Sequence, residues 1–299
     1  MKKRILILGT TSNIGNRFIE INQNNRNMDI YGVCRREFPT SKVKKMYLFS
    51  DIDICGIKKL IDDIKPNIIL NCISIGDVDY CEREKEFSKK VNVDFALELL
   101  NICNHESIKL IAFSSSLVYD GKDNLYDESS KMNPLNEYAS QKVLFDNVIR
   151  KYLHQHILIR PTTLIGIKKH YQRSNPAIFI LDKLLKNEKL VLVDDVVTNF
   201  LYLDDLIQII TLFIQNNILG EYNLGGIDAM SRYELGLKIQ SYVHDNKSII
   251  NSCESSYFKS IATRPLKTIL SNEKLLKVIK FKFSSIDKII SEIINSYHE

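Results

Sequence analysis

Five short apolar runs, at residues 4–8, 30–33, 67–71, 109–113 and 156–159, alternate with stretches of helical apolar spacing through the first half of the chain. Runs that are apolar on both faces and rich in branched side chains suit strands covered on both sides. Strands parted by helices must pair in parallel through right-handed crossovers. The helical stretches are 13–21, 57–64 (closed by Pro66), 87–103 and 137–152. This rhythm predicts an α/β fold built on a doubly wound parallel sheet.

Past Arg160-Pro161 the rhythm changes. Residues 176–185, 203–217, 231–243, 272–278 and 285–297 read as helices, with short strands at 190–193 and 221–224. The expected division is therefore 1–160 as a nucleotide-binding unit and 161–299 as a smaller, mainly helical lobe, with about 190–225 returning to the first unit. Such a lobe would close over the crevice beyond the carboxyl ends of the strands, where open α/β sheets bind ligands.

Composition narrows the class. Over 299 residues, 44 % hydrophobic and 26 % charged content supports a packed core and excludes disordered and fibrous chains. The formal charge of +5 is spread along the chain and forms no basic block of the nucleic-acid kind. No apolar run approaches the roughly 18 residues of a membrane span, so a cytoplasmic protein without leader or anchor is expected. Six cysteines without a C-x-x-C pair point to reduced core thiols, and His154 and His156 lack a third ligand nearby, so no metal is expected.

Chemistry enters at the first loop. Gly9-Thr10-Thr11-Ser12-Asn13-Ile14-Gly15 joins strand to helix with glycines six apart, where backbone amides and a helix N-terminus can hold a pyrophosphate. Gly9, Thr11, Ser12, Asn13, Ile14 and Gly15 are the candidate ligands. Ser12 stands where a middle glycine is usual; its Cβ would hinder close approach, while its hydroxyl would serve a phosphate. The second strand ends in Cys34-Arg35-Arg36, at the place where dinucleotide enzymes read the adenosine ribose. Two arginines there favour the 2′-phosphate of NADP(H) over the two hydroxyls of NAD. Asp51 and Ile52 are placed to receive the adenine.

Tyr138 and Lys142 are four residues apart on a predicted helix and share a face. A phenol is a poor acid-base catalyst near neutrality until an adjacent ammonium stabilises its phenolate. Ser114-Ser115-Ser116, at the end of the 109–113 strand, brings hydroxyls to the same region.

With these motifs the chain resembles the extended short-chain dehydrogenases/reductases, and among them the dTDP-4-dehydrorhamnose reductase-like family. The resemblance rests on Asn71-Cys72-Ile73-Ser74 with Val78-Asp79, Ser114-Ser115 with Val118-Tyr119-Asp120-Gly121, Pro134 to Tyr138 with Lys142, Val193-Asp194-Asp195 with Tyr202, Asn223 to Gly226, and Arg264-Pro265. It implies a Rossmann-type fold with Ser115, Tyr138 and Lys142 as catalytic residues. It adds Cys72, Ile73 and Ser74 to the cofactor side and sets Ser115, Ser116 and Thr163 beside the sugar. The activity it implies is NADPH-dependent reduction of the C4 ketone of a nucleotide-linked 4-keto-6-deoxyhexose, and a homodimer is compatible with it. Two other readings share the scaffold: an NAD-retaining epimerase or dehydratase, and a non-catalytic regulatory subunit resembling that of methionine adenosyltransferase. Ser116-Leu117 and Thr163 depart from the Asp-Tyr and Trp usual in the reductases, which implies an altered sugar preference.

Overall fold

The computed structural model describes residues 2–35, 43–49, 54–243 and 247–297. Its first half runs β1 (Lys3–Leu8), α1 (Asn13–Asn22), β2 (Met28–Cys34), β3 (Lys45–Leu48), α2 (Ile54–Ile64), β4 (Ile68–Asn71), α3 (Val78–Arg83), α4 (Lys85–Lys89), α5 (Phe95–His105), β5 (Lys109–Phe113), α6 (Glu137–Tyr152) and β6 (His156–Pro161). There follow β7 (Leu164–Ile165), α7 (Pro176–Leu185), β8 (Leu190–Val193), β9 (Val197–Asn199), β10 (Leu201–Tyr202), α8 (Leu203–Gln215), β11 (Gly220–Leu224), β12 (Ala229–Ser231) and α9 (Arg232–Gln240). The chain ends through β13 (Ile250–Cys253), β14 (Lys267–Thr268), α10 (Glu273–Val278) and α11 (Ile286–Tyr297).

Seven strands form one parallel sheet in the order β11-β6-β5-β4-β1-β2-β3, a Rossmann-type arrangement. The apolar run of β1 explains how both faces are covered. Ile5 and Ile7 enter a core shared with Phe18 of α1 and Leu206 and Ile210 of α8, while Leu6 and Leu8 enter a second core with Leu60 of α2, Leu99 of α5 and Phe145 of α6. Winding reverses between β1 and β4, so the crevice that binds ligands in such sheets opens beyond Leu8 and Asn71.

A third core, containing Ile178 and Leu181 of α7, Leu235 of α9 and Ile290 of α11, belongs to the C-terminal elements. Three smaller sheets here, β10-β7, β13-β8 and β12-β9-β14, draw together segments far apart in sequence. β11 pairs with β6 in the main sheet, and α8 is tied to α1 by the Arg17–Asp204 ion pair at 2.6 Å.

The helix expected over 87–103 is interrupted. Residues Lys90–Asp94 form a π-helical turn before α5 begins at Phe95. Asn92, inside that turn, accepts from the Ile75 amide at 2.8 Å and the Ser74 hydroxyl at 2.9 Å, and donates to Gln141 Oε1 of α6 at 2.9 Å. Its side chain thus ties the loop after β4 to α6, which helical spacing alone does not reveal.

Candidate active site

The loop after β1 depends on its two glycines. Gly9 adopts φ +85°, in the region that favours glycine, and a Cβ on it would lie 3.3 Å from the Cys72 carbonyl. A Cβ on Gly15 would fall 2.6 Å from the Gly9 carbonyl oxygen. Thr10 is buried beneath the loop and its hydroxyl donates to the Val33 carbonyl at 3.1 Å.

Ser12 also has a part in the fold. It sits at φ −67°, ψ 161°, ordinary extended geometry, and its Oγ accepts the Gly15 amide at 3.0 Å as the N-cap of α1. The serine therefore brings no backbone strain to a glycine's place. Burial pushes the neighbouring Cys72 thiol up to about 12, with the Ser12 hydroxyl pulling it the other way. Asn13 Oδ1 is buried without a hydrogen-bond partner at the start of the same helix. A cradle without room for Cβ atoms, leading into a helix N-terminus, fits a dinucleotide pyrophosphate.

A strap between β7 and α7 crosses this loop. Gln172 Nε2 donates to the Thr11 and Ser12 carbonyls at 3.3 and 3.1 Å, and Asn13 Nδ2 donates to the Arg173 carbonyl at 3.4 Å. Lys169 pairs with Glu20 of α1 at 2.8 Å, and Arg173 with Asp77, the N-cap of α3, at 3.3 Å. The strap thus spans the crevice from one wall to the other. No motif marked Gln172 or Arg173 in the sequence; only the fold brings them here.

Ser115, Tyr138 and Lys142 converge beside it. Ser115 follows β5 and its Oγ accepts the Leu117 amide at 3.2 Å, capping the 3-10 turn Ser116–Val118. α6 starts at an Asn136 cap, whose Oδ1 accepts the Ala139 amide at 2.9 Å, so Tyr138 and Lys142 occupy its first two turns. Lys142 Nζ donates to the Phe113 carbonyl at 3.0 Å and lies 5.6 Å from the centre of the Tyr138 ring. Burial pushes the Tyr138 phenol up to about 12, while the Ser115 hydroxyl and the Arg173 charge draw it down. Burial also pulls Lys142 down to about 8, against the charge of Asp146. A protonated phenol beside an ammonium and a second hydroxyl can donate a proton to a developing alkoxide.

Of the other predicted residues, Cys72, Ile73 and Ser74 follow β4 at the crevice, where Ile73 donates its amide to Asn71 Oδ1 at 3.1 Å. Ser116 is buried and Thr163 half-buried, the latter accepting the Leu201 amide through its carbonyl at 3.0 Å. Arg35 is exposed just past β2. Arg36, Asp51 and Ile52 lie outside the described residues.

On the opposite wall, Asn136 Nδ2 donates to the Thr263 carbonyl at 2.8 Å and so holds the 261–264 segment against the start of α6. Arg264 there pairs with Asp79 of α3 at 2.8 Å. Arg232, exposed at the start of α9, makes no side-chain ion pair or hydrogen bond among the described residues; partial desolvation and the like charge of Arg264 lower its pKa. Arg264 is answered by Asp79, whereas the Arg232 side chain is exposed and could meet an anionic ligand. The Arg264-Pro265 dipeptide gave a sequence signal for one of them, and nothing did for Arg232.

The doubly wound sheet, the glycine loop and the Ser–Tyr–Lys cluster together define the short-chain dehydrogenase/reductase class of Rossmann folds. Within that class the chain belongs to the RmlD substrate binding domain family, whose model matches residues 2–299. It is 24 % identical over 243 residues to the dTDP-4-dehydrorhamnose reductase of Aggregatibacter actinomycetemcomitans, covering 76 % of this chain and 81 % of that one. It is 27 % identical over 240 residues to methionine adenosyltransferase 2 subunit beta of Xenopus tropicalis, covering 78 % and 70 % of the two chains. In fold it matches the crystal structure of dTDP-4-dehydrorhamnose reductase from Bacillus anthracis in complex with NADP, with TM-score 0.87, 21 % identity, and coverage of 99 % of this chain and 100 % of that one.

Proposed function

We propose that this protein reduces the C4 ketone of a nucleotide-linked 4-keto-6-deoxyhexose, using NADPH. The observation that carries the reading is the convergence of Ser115, Tyr138 and Lys142 beside the glycine loop, in a chain of this family. The bound NADPH would supply hydride to C4. Tyr138 gives its phenolic proton to the C4 oxygen as charge develops there, Ser115 donates a hydrogen bond to the same oxygen, and the Lys142 ammonium stabilises the phenolate until water returns its proton. Hydride and proton together convert the ketone to an alcohol.

The cofactor would lie on Gly9, Thr11, Ser12, Asn13, Ile14 and Gly15, with Arg35 and Arg36 on its 2′-phosphate, Asp51 and Ile52 at the adenine, and Cys72, Ile73 and Ser74 along the crevice. The sugar would meet Ser115, Ser116 and Thr163. Arg232 and Arg264 suit the diphosphate of the nucleotide. The Bacillus anthracis reductase with NADP supports this choice of cofactor.

The regulatory-subunit reading draws on the likeness to the Xenopus protein. The Ser–Tyr–Lys cluster favours catalysis, because a binding module has no use for a phenol held beside an ammonium. Ser116 and Leu117 carry no acid-base group for dehydration, and Arg35 does not suit a retained NAD. Incubation with NADPH and a panel of nucleotide 4-keto-6-deoxy sugars, followed by mass analysis, tests the proposal. A gain of two mass units with NADPH oxidation is expected; no oxidation of NADPH that demonstrably binds would reject it.

A further inference from the structure

Directly behind the active site is a pair of charges with no access to water. Asp146 and Arg160 are both 0 % exposed, and Arg160 Nε donates to Asp146 Oδ2 at 2.7 Å. Such a pair is a weak source of stability, because well-packed apolar residues of similar volume do as well. Its position is more informative. Asp146 lies one helical turn beyond Lys142, as Lys142 lies one turn beyond Tyr138, and Lys142 and Asp146 are both on the buried face of α6. We propose that Asp146, anchored by Arg160, is a positioning residue that keeps Lys142 an ammonium directed at the Phe113 carbonyl and the mouth of the site. The inference rests on the reading that Lys142 serves Tyr138 and the cofactor.

The surroundings leave Asp146 as the carboxylate that answers the Lys142 charge among the described residues. On α6 itself the neighbours are Tyr138 and Asp146; from α3 the Cys81 thiol faces the site. The π-helical turn contributes the uncharged Asn92, bonded to Gln141. Glu82 and Glu137 both pair with Lys85 beside the start of α6. From the strap, Arg173 acts on Tyr138 but is paired with Asp77. From β6 the charge is Arg160, which also approaches Glu221 at 3.7 Å; Glu221 pairs in turn with Arg150 at 2.9 Å and faces His156 at 3.8 Å. Arg160 is thus held between two carboxylates; burial raises the Asp146 pKa, while the Arg160 charge and the Ser114 hydroxyl draw it down. Arg150 and Arg160 balance Glu221 and Asp146, and of these four it is Asp146, one turn along the same buried face, that raises the Lys142 pKa against the pull of burial.

Titration of the lysine Cε–Hε resonances by NMR tests this without substrate or cofactor, the Lys142 signal being the one lost in Lys142→Met. The wild-type midpoint is expected near 8. Asp146→Asn should lower it by about one pH unit, the effect of removing one charge a helical turn away in a medium of intermediate dielectric. Asp146→Glu should restore it to within a few tenths. If Asp146→Asn does not fold, the apolar pair Asp146→Leu with Arg160→Met should still lower the midpoint. A folded variant lacking the Asp146 carboxylate with an unchanged Lys142 midpoint would overturn the proposal. The sugar panel is read separately, so a moved midpoint with no turnover would reject the reductase and leave the role of Asp146 standing.

Discussion

Ser12 Oγ accepts the backbone amide of Gly15 at 3.0 Å, so the residue that stands in a glycine's place in the loop after β1 caps the start of α1. Ser12→Ala should destabilise the protein by about 1 kcal/mol and Ser12→Gly by a few tenths, the usual difference for N-caps. Urea unfolding of the two variants measures it. Equal stability of Ser12→Ala and wild type would show that the cap contributes nothing.

Tyr138→Phe removes the proton donor and keeps the ring. Turnover should fall by about 10²- to 10⁴-fold while the dissociation constant for NADPH stays within a few-fold. Steady-state kinetics and fluorescence titration check the two halves separately. Near-normal turnover at saturating substrate would mean that the proton comes from elsewhere.

Lys142 links stability to pH. Its pKa falls from the ordinary 10.5 to about 8 in the folded protein, so between these values the unfolded chain binds more protons and stability rises with pH. Below pH 8 the buried ammonium is a cost that Lys142→Met lacks. The stability advantage of Lys142→Met over wild type should therefore be largest below pH 8 and shrink steadily towards pH 10.5, even as cofactor binding is damaged throughout. Denaturant unfolding at several pH values would show the narrowing; a gap that does not change with pH would contradict the lowered pKa.

Arg35 and Arg36 should give NADPH an advantage of roughly tenfold or more over NADH, since each charge-assisted bond to the 2′-phosphate is worth about 1.5 to 3 kcal/mol before solvent screening. Arg35→Ala with Arg36→Ala should abolish that ratio and leave NADH binding nearly intact. An unchanged ratio in the double variant would remove both residues from the cofactor site.

Arg232→Ala should raise KM for a nucleotide sugar by about tenfold or more with little change in kcat, because the lost interaction is made equally in ground and transition states. Folding should be unharmed, since the exposed Arg232 side chain has no hydrogen bond or ion pair to lose among the described residues. A drop in kcat at constant KM would place the residue nearer the chemistry.

Local sequence carries the parts of this protein whose physics is local. The apolar run of β1, the glycines that let the chain turn after it, and the four-residue spacing of Tyr138 and Lys142 are each set within a few neighbouring residues, so the parallel sheet and the shared helix face of Tyr138 and Lys142 are legible in the order of amino acids alone. The tertiary fold decides what depends on distant partners. Asn92 breaks a helix that its own periodicity favours because the Ile75 amide and Gln141 bond its side chain. Gln172 and Arg173 reach the loop after β1 from some 160 residues away, and Arg232 comes within range of the Arg264 charge from a separate element. The buried charge of Asp146 has the same origin: its spacing from Lys142 is written in α6, but only the packing of β6 against that helix removes the water and supplies Arg160.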